Sequence, residues 1–247
     1  MTGFKSSSEL KSLAKDKLTG RYGTAMLLYL LPGTISVIYT YMLSLTISRT
    51  TLSGEVIYYV MLTAGNLIIY IFQIGISCYF LNLACGFPCT FQDLFYGFRN
   101  NTDKALILAA VYTALSFLLE PYTYLANLYL RTGDLKWGIY TCLVLAVSMI
   151  IYVPLSLMLS QAVFLILDFP DTTVPELLRM SIKVMKGHKG RLFYLEASFI
   201  PLIILAYCTL GIGFLWLYPY MKMTSTLFFL DIMHPAKQEE PPVVPLT

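Results

Sequence analysis

The sequence predicts an all-α membrane protein with six transmembrane helices, and three observations lead there. Of its 247 residues, 57% are hydrophobic and only 13% charged, where a soluble domain carries roughly 25% charged residues. The mean hydropathy is +0.68. Uncharged runs extend from Tyr22 to Ser48, Val56 to Gln92, Trp137 to Leu167 and Ala197 to Met221. Each exceeds the roughly 20 residues that an α-helix needs to cross about 30 Å of hydrocarbon. Nothing alternates polar and apolar in segments of about ten, which disfavours a β-barrel. The composition also disfavours an ordinary soluble enzyme and rules out a disordered chain. A formal charge of +3 is too mild to imply nucleic acid.

The six spans fall at about 23–48, 56–84, 104–128, 137–167, 191–209 and 212–231. Pro32-Gly33 lies inside the first and Pro154 inside the fourth; neighbouring helices satisfy the backbone groups that such kinks free. Thr209-Leu210-Gly211-Ile212-Gly213 is the break in the final apolar stretch and reads as a tight turn between spans five and six. Residues 1–234 form one transmembrane domain, and 235–247 a flexible proline-rich tail.

Orientation follows from the asymmetry of Lys and Arg. One side carries 13 of them, from Lys5, Lys11, Lys15, Lys17 and Arg21 through Arg99 and Lys104 to Arg179, Lys183, Lys186, Lys189, Arg191 and Lys237. The other carries 3: Arg49, Arg131 and Lys136. Both termini are therefore expected in the cytoplasm. The polar N-terminal stretch is too long for a cleavable signal, so the first span is expected to stay as an anchor. Tyr22, Tyr58, Tyr59, Tyr122, Tyr124, Tyr129 and Tyr152 suit an interfacial aromatic belt, and Tyr39 and Tyr41 can join it from span one.

A repeat underlies the spans. Ser6, Glu9, Leu10, Leu18, Gly20 and Gly23 align with Thr173, Glu176, Leu177, Met185, Gly187 and Gly190. Each segment opens with a capping box, Ser6-x-x-Glu9 or Thr173-x-x-Glu176, continues as an amphipathic helix, ends in G-x-x-G and runs into a span. Thr90-x-x-Asp93, with Phe91, Leu94, Phe95 and Phe98, is a weaker third copy in which Gly97-Phe98-Arg99-Asn100 replaces G-x-x-G. The chain then divides into three parallel units, about 6–84, 90–167 and 173–231, each an interfacial helix plus a helical hairpin. The basic interfacial helices are expected to lie in the membrane plane at the headgroup layer, with anionic headgroups as partners.

These residues also carry a family resemblance. Glu9-Leu10-Lys11 to Gly20, Leu94-Phe95-x-Gly97-Phe98, Ser181-x-x-x-Met185-x-Gly187, Arg191-Leu192-Phe193, the turn from Thr209 to Gly213, and Pro219-Tyr220 with Phe228 to Asp231 together resemble the bacterial integral-membrane family known as domain of unknown function nine hundred and seventy-five. The resemblance covers residues 6 to 232. It implies a multi-span protein of the bacterial cytoplasmic membrane and supplies no activity. A more distant similarity is to the membrane domain of some glycerophosphodiester phosphodiesterases; no catalytic barrel is present, so that chemistry is not carried over. Lys222 and the tail from Pro235 to Thr247 depart from the family pattern, which makes any role of Lys222 particular to this chain.

The search for chemistry finds no catalytic, metal or cofactor motif. His188 and His234 sit among surface cations. Cys78, Cys85, Cys89, Cys142 and Cys208 are odd in number, and Cys85 and Cys89 lie at the cytoplasmic end of a span, in a reducing compartment; the five read as small buried apolar residues. Ser12-x-x-Lys15 matches a Ser/Lys nucleophile pattern but lies on a short surface helix without an oxyanion scaffold. Glu120, before Pro121, reaches the outer interface. The informative residues are Glu196 and Lys222, embedded by sequence on the two arms of the last hairpin. Each unpaired charge costs about 3 kcal/mol or more at mid-membrane, so the two are expected to face the bundle interior and to pair directly or through one polar group or water, with Tyr194 or Tyr218 as hydrogen-bond partner. Such a pair serves as a packing device, as a solute or proton site, or in headgroup coordination.

Three functions stay open. The first is a non-enzymatic membrane protein that binds or organises lipid or protein partners. The second is a small transporter or exporter component with a site near Glu196 and Lys222. The third is a lipid-acting enzyme. A polar cavity reaching Glu196 or Lys222 favours the second; a solid bundle favours the first.

Overall fold

A computed structural model of the chain describes residues 3–48, 51–100 and 102–233. The expected tail at 235–247, Arg49, His234 and Lys237 lie outside the described residues. Within them the fold is all-helical, with no strand. The helices are α1 (Ser7–Leu18), α2 (Tyr22–Thr46), α3 (Leu52–Cys85), a 3-10 turn (Phe91–Phe95) leading into α4 (Tyr96–Arg99), α5 (Thr102–Ser116), α6 (Glu120–Thr132), α7 (Leu135–Leu159), α8 (Ala162–Asp168), α9 (Val174–Val184), α10 (Lys189–Ala197), α11 (Ile200–Cys208) and α12 (Phe214–Met233).

Among the described residues, five stretches are long and apolar enough to cross a membrane: Tyr22–Thr46, Ser53–Cys85, Thr102–Thr132, Leu135–Asp168 and Lys189–Cys208. The expected sixth span becomes α12, which is not among the five. Lys222, Asp231, the hydroxyls of Thr224, Ser225 and Thr226, and two tyrosines dilute its hydropathy. Three of the five stretches are interrupted, the fourth stretch at Ser160–Gln161 between α7 and α8. Span three passes through a 3-10 turn at Phe117–Leu119, and Glu120-Pro121 starts a fresh helix there. Span five breaks at Ser198–Phe199, just before Pro201 in the first turn of α11.

All three capping boxes form. Ser6 with Glu9, Thr90 with Asp93 and Thr173 with Glu176 each exchange both bonds, satisfying the amides that a helix start leaves without partners. The leucine after each acidic residue, Leu10, Leu94 or Leu177, is at most 2% exposed. The box orients each segment and the leucine anchors it. Gly20 and Gly187 turn the chain into the next helix at φ +77° and +91°, values that cost an L side chain a steric clash.

What the capped segments pack against differs from the expectation. They do not lie across the helix ends; they fold back alongside them. Lys5 N–H donates to Asp231 Oδ1, near the end of α12, Leu10 clusters with Phe228 and Ile232, and Lys15 Nζ stands 5.6 Å from the Tyr220 ring. Sequence numbers rise along α1 as they fall along α12, so the two run antiparallel. Likewise α9 doubles back on α8 and the end of α7, with Ser181 Oγ donating to Met158 O at 2.7 Å. The 3-10 turn doubles back on α3, where a Cβ at Gly75 would stand 2.0 Å from Leu94 O. The apolar face of each segment covers a helix side because that side offers more apolar area than a helix end.

The core is concentrated at this basic end. In α3 the stretch from Ile71 to Ala84 is buried save for half-buried Gln73, and Ala162–Leu167 of α8 is buried throughout. Leu81, Phe164 and Phe229 join one cluster, and the Phe164 and Phe229 rings stack at 5.0 Å. Each of the three stands four residues before the end of its helix, α3, α8 or α12. Cys85 and Asp168, the last residues of α3 and α8, are electrostatic neighbours, and the Phe164–Phe229 stack levels α8 with α12, so the three helices end level with one another. Away from this core the helices turn apolar residues outward: Val37, Ile38, Leu45, Val60, Ile107, Leu143, Ile150, Ile204 and Leu205 are all exposed.

Candidate functional site: a polar cavity at Glu196 and Lys222

Two cavities meet at Glu196, Lys222 and Ser225, which line both. The first, about 550 Å³, lies among α3, α5, α7, α8, α10 and α12. The second, about 440 Å³, lies among α2, α10, α11 and α12. Twelve of the sixteen residues lining the first carry polar or charged side chains, including Asn66, Gln73, Tyr70, Tyr112 and Tyr152. A polar group would find many partners there.

The elements that hold the charges are built locally. On α12, Lys222 and Ser225 are three residues apart and share a face, and Thr226 Oγ1 donates to Lys222 O at 2.9 Å. The Lys222 ammonium stands 4.6 Å from the centre of the Phe164 ring, whose electron-rich face attracts a cation. Glu196 lies near the end of α10, where buried Leu192, Leu195 and Phe199 fix the neighbouring positions, and it is itself exposed. The break just beyond it is held from α1. Lys11 Nζ donates to Ser198 O at 3.0 Å and stands 4.2 Å from the Phe199 ring, a cation placed where a helix end leaves carbonyls free. Burial first, then neighbouring Lys15, hold the Lys11 ammonium below its ordinary value.

Glu196 and Lys222 share the cavity but form no ion pair with each other. Among the described residues, the side chains of Asn66, Gln73, Glu196, Lys222 and Ser225 make no hydrogen bond to protein. The expected pair is thus two separate charges facing one space. The depth count behind that expectation took spans five and six as straight helices, and the break at Ser198–Phe199 removes that register. Of the expected helpers, Tyr218 lines the smaller cavity and stacks on Tyr29 with ring centres 5.7 Å apart. Tyr194 is 67% exposed and lines neither cavity. Tyr152, expected in an interfacial belt, is in the cavity wall instead, and Tyr39 is pinned to α3, its hydroxyl donating to Met61 O.

The pair that does form sits lower on the same hairpin. Arg191 Nη2 donates to Asp231 Oδ2 at 2.7 Å and to Lys5 O at 2.9 Å, and Asp231 is fully buried. The guanidinium packs 4.7 Å from the Phe4 ring and 5.3 Å from Phe228. This clasp joins the N-terminal segment, α10 and α12. Sequence reasoning passed over it, although Arg191 and Asp231 each stand 20 residues from Gly211, so a hairpin turning there brings them level.

The remaining candidates gather no site. Among the described residues, no group of three or more His, Cys, Asp or Glu side chains is placed to hold a metal. Ser12 is exposed on α1, and Lys15 is turned toward Tyr220. The cysteines are free; Cys142 and Cys208 are exposed rather than buried.

With this geometry in view, comparison with known proteins gives one match. The family described as protein of unknown function (DUF975) matches residues 1–236. The chain belongs to this family. No curated protein matches it, and no solved structure does. Arg191, Phe228 and Asp231, which build the clasp, lie among the residues quoted above for the resemblance.

Proposed function

We propose that this DUF975 protein is a non-enzymatic membrane protein that binds a polar group of mixed charge in the cavity between Glu196 and Lys222. The observation that carries the reading is the cavity itself: two opposite charges face one space, unpaired with each other and flanked by free amide and hydroxyl groups. Lys222 suits a phosphate or carboxylate and Glu196 an ammonium, as in a phosphoethanolamine headgroup or a free zwitterion of the same chemistry.

The position in the membrane supports this ligand. At 1.5 Å per residue, α3 is about 51 Å long, well beyond 30 Å of hydrocarbon. Its part from Leu52 to Tyr70 accounts for about 28 Å and matches the bilayer. Its buried part beyond Ile71 then belongs to a core on the inner face, wrapped by the three capped segments. Lys222 is 11 residues before the end of α12, about 16 Å, so it falls near headgroup level. The excess of basic residues at this end supports a cytoplasmic position for it, and for both termini, in a bacterial inner membrane. The recurring box, leucine and antiparallel segment are read as three parallel repeats, with α1 closing the ring by taking beside α12 the place that α9 takes beside α8.

Anionic lipid is the proposed partner of the surface. A groove of about 440 Å³ is lined by Arg179, Lys183, Lys186 and Lys189, with Met158 and Ile182 as its apolar lining. Four cations without an acid among them suit headgroup phosphate. A membrane-protein partner is a further candidate that no particular surface favours.

The second reading is transport. It draws on the meeting of two cavities at Glu196, Lys222 and Ser225, the arrangement expected where a solute passes between two spaces.

The test is thermal unfolding of the full chain in nanodiscs. At a fixed share of phosphatidylglycerol, phosphatidylethanolamine is expected to raise the midpoint relative to phosphatidylcholine, whose quaternary ammonium has no N–H to donate to Glu196. In phosphatidylglycerol discs, added O-phosphoethanolamine separates a free solute from a lipid headgroup. The combined variant Glu196→Gln, Lys222→Met is expected to abolish both gains. Gains that persist in that variant, or that never occur in the parent, overturn the reading.

A further inference from the structure

We infer that the third hairpin, α10 to α12, is re-entrant: it enters and leaves the bilayer through the basic face, and its tip ends in hydrocarbon. The basic face being cytoplasmic rests on the orientation proposed above; the re-entrance does not.

Length is the first reason. Because Cys85 at the end of α3 neighbours Asp168 at the end of α8, and Phe164 stacks on Phe229, the ends of α3, α8 and α12 are level, and helix length measures how far each hairpin reaches. Helix α3 has 34 residues and the stretch Leu135–Asp168 has 34, but α12 has only 20. At 1.5 Å per residue the third tip stops about 21 Å short of the other two. That shortfall is most of the hydrocarbon thickness.

Tip chemistry is the second reason, independent of the first. The turn between α6 and α7 is made for water: Arg131, Asp134 and Lys136 surround it, and Lys136 Nζ meets Asp134 Oδ2 at 2.9 Å on the surface. The third tip is Thr209-Leu210-Gly211-Ile212-Gly213, with Leu210 95% exposed, Ile212 60% and Tyr207 70%. In water these would form a bare apolar point. In acyl chains they are in their own solvent.

Backbone satisfaction is the third. Hydrocarbon offers no partner to a free amide, so a turn placed there must close its own bonds. Every N–H from Thr209 to Leu217 does so. Those of Thr209, Leu210 and Gly211 reach carbonyls of α11, and Ile212 reaches Thr209 O. Gly213 N–H is taken by Thr209 Oγ1 at 2.8 Å, and Phe214 to Leu217 bond to carbonyls within the turn. The chain turns through Leu210 at φ +53° and Gly211 at +88°. A leucine in the left-handed region is uncommon; here it leaves the side chain pointing out from the tip. The partner this surface fits is the acyl chain of the leaflet that the hairpin enters.

The experiment measures depth. Ile212→Trp, with Trp137→Phe and Trp216→Phe, puts the sole tryptophan at the tip of the full chain. Reconstituted with lipids brominated at shallow or deep acyl positions, a re-entrant tip is quenched most by the deep bromines and is untouched by aqueous iodide. A spanning hairpin puts the same tryptophan at the far interface, where shallow bromines and iodide dominate; that result overturns the proposal. A second variant covers loss of folding. With the five native cysteines replaced by alanine, Leu210→Cys in intact cells is expected to resist a membrane-impermeant maleimide that labels Asp134→Cys, and equal labelling of both overturns it. Neither readout depends on a ligand, so failure of the cavity reading leaves this inference standing, and the reverse.

Discussion

Arg191 and Asp231 meet at 2.7 Å across the base of the last hairpin, with the aspartate fully buried and the Lys5 backbone held between them. Three chain segments far apart in sequence depend on this contact. A buried charge left without its partner costs far more than the pair contributes, and removing one side typically costs about 3–5 kcal/mol. Asp231→Ala and Arg191→Ala are expected to fall in that range by thermal or denaturant unfolding in detergent. Lys136→Ala, which breaks the exposed pair with Asp134, should leave stability unchanged. A loss no greater in the clasp variants than in Lys136→Ala removes the clasp from the fold's supports.

The capping boxes make an acid-sensitive contribution. Glu9 is held below its ordinary value of 4.5 first by the Ser6 backbone N–H and then by the Ser6 hydroxyl. Glu176 is held below it first by the Thr173 hydroxyl, then by its N–H. A carboxyl with a lowered folded value stabilises the fold above the unfolded value and loses that contribution as pH falls through the folded one. Stability is therefore expected to fall as pH drops below about 4.5. Glutamine serves in the same box without titrating, so Glu9→Gln with Glu176→Gln should flatten the acid limb of a midpoint-against-pH curve. An unchanged limb assigns the acid loss elsewhere.

Close approach of α3 and the 3-10 turn is tested at glycine. A methyl group at Gly75 would stand 2.0 Å from Leu94 O, so backbone must move. Gly75→Ala is expected to cost about 1–3 kcal/mol. Gly33, inside α2 with nothing within 4 Å of its would-be Cβ, is the control. There alanine should gain up to about 1 kcal/mol through helix propensity. Equal effects at the two sites, measured by unfolding, would mean that the turn packs less closely than the distances state.

Local signals were legible in the sequence, and relations between distant segments were not. Ser6-x-x-Glu9, Thr90-x-x-Asp93 and Thr173-x-x-Glu176 announce their helices because a capping box is complete within four residues. The turn at Thr209–Gly213 announces itself by its glycines. The docking of α1 along α12 joins the two ends of the chain, and nothing in either segment alone names the other. The expected in-plane helices came from judging each amphipathic face against lipid, when a buried helix side was available to it. Glu196 and Lys222 were found by charge in an apolar run, a local signal, but their pairing needed the register of α10 and α11, which the break at Ser198–Phe199 shifts. Arg191 and Asp231 were within reach of the same count from Gly211; they were passed over because charges at span ends need no explanation at an interface.

Lys222 gives the sharpest test, because an ion-pair role and a ligand role predict opposite results. Were Lys222 paired with Glu196, Lys222→Met would leave a stranded carboxylate and cost about 3–5 kcal/mol. The structure instead puts the ammonium over the Phe164 ring, with no carboxylate bound to it. Methionine keeps a similar length and packs on the same ring through its sulfur. What is lost is a cation–ring attraction of about 0.5–2 kcal/mol, offset by no longer holding a charge away from bulk water. Lys222→Met is therefore expected to unfold within about 1 kcal/mol of the parent, and Glu196→Gln, whose side chain is exposed, closer still. Each variant should lose the stabilisation that phosphatidylethanolamine or O-phosphoethanolamine brings, the lysine variant through the phosphate and the glutamate variant through the ammonium. A large loss of stability in Lys222→Met that Glu196→Gln restores would show the two charges to be partners, and the cavity reading would give way to a packing role.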